Sequence, residues 1–162
     1  MIRRLRTLAR DNRGAAIIEL AFAAPILATM VIGVTDISIA YGKKLELEQA
    51  AQRAIEKVAQ TTGESTPADT IKKEAVCQYN RVNTDGTCKT APITAANVAV
   101  SYSLKCDGVV QDYLTDCTST QTEVRYITAT VTDTYTPMFD LHFGTQPDGT
   151  YHLAGIAGVR VQ

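Results

Sequence analysis

Histidine occurs only twice in this 162-residue chain, and the formal net charge is −1. The two, His142 and His152, are too far apart for a zinc-protease H-E-x-x-H, and no phosphate-binding glycine loop or G-x-S-x-G nucleophile turn is found. Asp140 and His142 could form an acid–base pair, but no nucleophile has a setting that matches them. The sequence therefore reads as a non-enzyme with no cofactor. Internal repeats and low-complexity tracts are also absent, which excludes a solenoid or a disordered linker protein. The length suits one modest domain plus an anchor.

What charge there is lies unevenly. Arg3, Arg4, Arg6, Arg10 and Arg13 precede Gly14 with only Asp11 against them, whereas acidic residues outnumber basic ones after it. A short basic arm beside an apolar run argues against nucleic-acid binding and for a membrane surface. From Gly14 to Thr35 the chain reads GAAIIELAFAAPILATMVIGVT, with Glu19 as its single charge. About 20 apolar residues cross the hydrocarbon core as a helix. The flanking arginines would stay cytoplasmic, so the remainder would be exported across a bacterial inner membrane into the periplasm. A cleaved secretory signal would have a shorter apolar region of roughly 7–15 residues. An ordinary signal anchor has no need of Glu19, whose burial in a bilayer costs about 2.5–3.5 kcal/mol on insertion scales and marks a candidate functional residue. Pro25, inside the run, is expected to kink or loosen the helix.

The order of these features is specific. A basic leader ends in Arg13-Gly14, then Ala15-Ala16-Ile17-Ile18-Glu19 opens the apolar helix. This resembles the prepilin peptidase site of type IV pilins, in which the cut follows the glycine and the fifth mature residue is glutamate. The run Ile18 to Phe22, Pro25, and Gly33 with Asp36 is similar to the TadE-like branch of tight-adherence (Flp-type) minor pilins, although Leu20 stands where that branch often has an aromatic residue. The resemblance covers about residues 13–42 well. It returns more weakly at Tyr135-Thr-Pro137 and at the closing stretch from Leu153 to Val161. It implies processing between Gly14 and Ala15 and an assembly role for Glu19, which would pair with the new terminal amine of a neighbouring subunit. The implied partners are the inner membrane, a prepilin peptidase, other pilins or pseudopilins and the pilus secretion machinery.

Beyond the anchor, Leu47, Ala51, Ala54 and Val58, with Ile55 beside them, recur at helical spacing and predict an amphipathic stalk over residues 36–62, continuous with the span over 15–35. Gly63 is its expected C-cap. Thr66-Pro67-Ala68-Asp69 starts a second helix to about Tyr79. Val98, Val100, Tyr102 and Leu104 alternate with small or polar residues, and residues 123–135 are rich in Val, Ile, Thr and Tyr; both read as strands. A closing strand, Thr150 to Val161, follows the turn Gln146-Pro-Asp-Gly149. Helices followed by strands predict an α+β fold with an antiparallel sheet in a domain over 63–162, after a leader over 1–14.

Cys77, Cys88, Cys106 and Cys117 all lie in that domain. Three pairings are possible; the local ones, Cys77–Cys88 and Cys106–Cys117, are the most economical, each closing a short loop for about 2–3 kcal/mol in the loop-entropy model. The spacing is unlike that of zinc sites, and the histidines do not cluster with it. Together the expectations describe a minor pilin. A membrane-tethered binding module that keeps its leader is the alternative, and a soluble secreted protein the next.

Overall fold

A computed structural model describes residues 14–60, 67–139 and 143–161. The expected C-cap Gly63, the start at Thr66, and Asp140 and His142 lie outside the described residues.

The chain opens with one uninterrupted 46-residue helix, α1 (Ala15–Gln60), which continues through Pro25 and Gly42. At 1.5 Å per residue it is about 70 Å long. Helix α2 (Pro67–Asn80) begins with proline at its first position and Asp69 in its first turn, the placement that proline's fixed φ and the helix dipole favour. It runs one residue past the expected end. A four-stranded antiparallel sheet follows in the order β2-β1-β3-β4: β1 (Val98–Cys106), β2 (Val109–Gln111), β3 (Glu123–Tyr135) and β4 (Tyr151–Arg160). The fold is α+β, with β4 paired to β3 from Tyr126↔Arg160 to Tyr135↔Tyr151. β2 was not anticipated; all three of its residues are exposed, so it carries no alternation to read.

The core lies where the upper half of α1 and α2 cover one sheet face. Leu47, Ala50, Ala51, Ala54 and Ile55 meet Ile71 and Ala75 of α2 and Ile127, Ala129 and Val131 of β3. Small residues on α1 let the helix settle close to the sheet, and Gly155 sits at the closest approach: a Cβ there would overlap the backbone of Leu47 and Glu48. The turn anticipated at Gly149 is present, and Gly86 closes another after α2; their φ values of 77° and 82° disfavour any residue with a Cβ. Two local disulfides, Cys77–Cys88 and Cys106–Cys117, have Cα separations of 4.8 and 5.6 Å. The first ties α2 to the loop after it and the second ties the end of β1 to the loop before β3.

Two further groups hold loops to this frame. Asn80, buried, accepts from the Ile93 amide at 3.0 Å and donates to the Ile93 and Lys89 carbonyls. Arg125 donates to the Tyr113 carbonyl at 2.8 Å, pairs with Asp116 at 2.9 Å and with Glu123, and lies over the Tyr113 ring. Its place on the inward face of β3 beside Ile127 thus serves the loop after β2.

Candidate functional site

The chemistry singled out by the sequence sits on the lower half of α1. From Ile17 to Val34 the large apolar side chains, apart from the half-buried Ile32, are exposed among the described residues; Ile17, Phe22 and Val31 are 71, 75 and 65% exposed. In water so long an apolar surface would be strongly unfavourable, at about 25 cal/mol per Å². In lipid it is the required solvent-facing surface. Among the described residues this is the one helix long and apolar enough to cross a membrane. Its hydroxyl groups suit that setting. Thr29 and Thr35 donate to the carbonyls of Pro25 and Val31 at 2.6 and 2.8 Å, so neither leaves a polar hydrogen unpaired.

Glu19 is exposed on this bare surface, one turn after the first residues of the helix. Among the described residues no ion pair or hydrogen bond to Glu19 is found. Gly14 is the residue immediately before α1, and Ala15 is the first residue of the helix. The two halves of the expected cleavage site therefore lie at the boundary of regular structure. The four cysteines, by contrast, are spent in disulfides in the domain, far along the chain from this end.

A second cluster lies where α1 leaves the apolar run; sequence reasoning singled out its Gly33, Asp36 and Tyr135 without their contacts and missed the other members. Asp36 is 4% exposed. Its carboxylate accepts from the Met138 amide at 2.9 Å, the Phe139 amide at 3.3 Å and the Tyr135 hydroxyl at 3.3 Å. Three residues earlier Gly33 is buried against the Phe143 ring, which would stand 3.3 Å from a Cβ at that position. The Gly33-x-x-Asp36 pair thus works as a socket: the glycine admits an aromatic ring and the aspartate satisfies the backbone of the segment after β3. Tyr151 donates to the Phe143 carbonyl and stacks on Tyr135 at 6.2 Å, while Lys43 lies 5.7 Å from the Tyr135 ring centre. Desolvation, then the nearby Asp36 charge, raises the Tyr135 phenol above its ordinary pKa. Partners about 100 residues away in sequence explain why spacing alone could not show this.

An open groove of about 600 Å³ beside the Cys77–Cys88 bridge is lined by Val76, Asp69, Lys72 and Lys73. His152, in β4, hydrogen-bonds Asp148 of the exposed turn before that strand at 2.7 Å. This pair and the Thr150 backbone amide, the larger influence, bring Asp148 down to about 2. The arrangement is that of a local turn closure.

A long helix whose upper half roots a small α+β domain, and whose lower half is bare and apolar, defines a helix-anchored protein. The family model described as TadE-like protein matches residues 14–55, which takes in the whole apolar run, Glu19, Gly33, Asp36 and the stalk as far as Ile55. Over that segment, about a quarter of its length, the chain is similar to TadE-like proteins. No curated protein and no solved structure matches it.

Proposed function

We propose that this chain is a minor pilin, or pseudopilin, acting in the assembly or initiation of a tight-adherence pilus used for surface attachment. The observation that carries this reading is the TadE-like match, which begins at Gly14 and contains Glu19 at the fifth position after it.

Before processing, the arginine leader holds the amino terminus at the anionic cytoplasmic face of the inner membrane, and the domain, with its two disulfides, lies in the oxidising periplasm. A prepilin peptidase hydrolyses the Gly14–Ala15 bond; glycine has no side chain to obstruct the approach to the backbone. The product is a chain starting at Ala15 with a protonated amine. Glu19, unpartnered along its own helix, then pairs with the amine of an adjacent pilin. Pairing removes much of the penalty of a lone carboxylate in lipid, so packed helices are favoured over isolated ones. The bare surface from Ile17 to Val34 is what such neighbours would contact. The further partners are other pilins and the pilus secretion machinery.

Amino-terminal sequencing of the protein from cells with and without the peptidase tests this directly. The mature chain is expected to begin at Ala15 only when the peptidase is present. A chain that keeps Met1 in cells with normal pili would overturn the reading. Glu19→Ala should leave membrane insertion intact and abolish assembly; unchanged assembly would remove Glu19 from the mechanism.

A further inference from the structure

The segment after β3 leaves three large apolar side chains uncovered. Met138, Phe139 and Phe143 are 70, 42 and 52% exposed, at the end of the domain where α1 leaves its apolar run. They are clustered by the Asp36 and Gly33 contacts described above. We propose that these side chains form a lipid-binding foot that enters the membrane leaflet nearest the domain. The inference rests on the reading of α1 as a membrane span.

Height along α1 identifies the occupant. A hydrocarbon core of about 30 Å takes about 20 helical residues, which, counted from Ala15, ends near Val34. Phe143 lies against Gly33, at that boundary. Met138 and Phe139 are held by Asp36, one turn higher. Above them come Tyr41, exposed, and Lys43. Apolar groups lowest, with an exposed tyrosine and a lysine above them, is the order that a bilayer interface selects. The exposed surface of α1 is apolar up to this level, at Met30, Val31 and Val34. The foot therefore extends a surface already in lipid. Asp36 matters to the scheme because it accepts from the backbone amides that would otherwise face lipid unpaired.

The foot would fix the angle between domain and membrane before assembly, a restraint that a helix alone does not supply. It would have to leave the bilayer whenever the subunit did.

The chain has no tryptophan, so a single introduced indole reports its own surroundings. The full chain would be reconstituted in phosphatidylcholine–phosphatidylglycerol vesicles whose acyl chains carry bromine either near the headgroup or deep in the core. Met138→Trp, with Phe139→Trp as a second probe should the first fail to fold, is compared with Ile26→Trp in the span and Leu114→Trp at the far end of the sheet. The foot requires blue-shifted emission from the Met138→Trp probe and preferential quenching by the shallow bromines. Ile26→Trp should be quenched by the deep ones and Leu114→Trp only by aqueous iodide. If Met138→Trp behaves like Leu114→Trp while Ile26→Trp is quenched by deep bromine, the foot is refuted and the span stands. If Ile26→Trp is not quenched by lipid either, the span itself fails and the foot with it. Blue-shifted emission that no brominated lipid quenches would place a second copy of the chain over the segment and overturn the lipid assignment.

Discussion

The two halves of α1 share a backbone but differ in what covers them. Below Thr35 the large side chains, Ile, Leu, Phe and Met, face outward and no part of the domain above the Gly33 socket covers them. Above Asp36 the inward stripe is mostly alanine, with Leu47 and Ile55, and is sealed against the sheet and α2. Size follows the neighbour. Lipid accommodates any bulky apolar side chain, whereas a sheet approached closely enough to require Gly155 favours a stripe made mostly of small ones. The upper half thus stabilises a fold, and the lower half is left free for an environment or a partner. Asp36 marks the change, since it is the first carboxylate after the apolar run and is fully engaged with the domain.

The sharpest way to break the contrast is to push the upper half off the sheet. Gly155→Val inserts side-chain atoms into the backbone of α1 at Leu47 and should cost upwards of about 3 kcal/mol, at the high end of overpacking effects. Thermal melting in detergent, followed by near-ultraviolet circular dichroism, measures it. Leu47→Ala, at a fully buried position, should cost about 2–5 kcal/mol by the same assay, while Ile26→Ala in the bare half should leave the domain's melting temperature unchanged. Asp36→Ala strands the amides of Met138 and Phe139 and should cost about 1–3 kcal/mol. Proteolysis within residues 136–139 should rise with it.

A smaller effect depends on pH. Tyr79 donates to Asp133 at 2.6 Å, and burial first, then that bond, raises its phenol well above the ordinary value. The unfolded chain loses this proton near pH 10 while the folded one retains it. The contribution is therefore complete at neutral pH and falls as pH rises beyond about 10, by at most about 1.4 kcal/mol per pH unit. Tyr79→Phe should cost about 1 kcal/mol at pH 7 and flatten the alkaline decline; an unchanged decline would assign it to other groups. Smallest of all, Gly42→Ala meets nothing within 4 Å and lies in the helix. It should stabilise the upper half by about 0.5–1 kcal/mol in the same melts.

Much of this contrast was legible in the sequence, for physical reasons. The stripe through Leu47, Ala51 and Ala54 is periodic because one helix face meets a core, and the alternation in β1 and β3 is clean because one sheet face is covered. Glu19 stands out because a charge in an apolar run is costly. Three things escaped. β2 is short and wholly exposed, so no burial pattern announces it. Gly155 looks like any strand glycine until α1, more than 100 residues away in sequence, is laid across it. Asp36 and Gly33 could be placed at the end of the apolar run, but their contacts with Met138, Phe139 and Phe143 arise only when β3 returns its end to that point.

Hydrogen exchange on the full chain in lipid nanodiscs tests the two-solvent helix most directly, read amide by amide along α1 for the natural sequence and for Gly155→Val. The expected result is slow exchange over both halves of the natural helix, and in the variant acceleration confined to residues 40–58 with 17–33 still protected by lipid. Acceleration of both halves together would show that they are protected as one packed unit, and the division at Asp36 would be wrong.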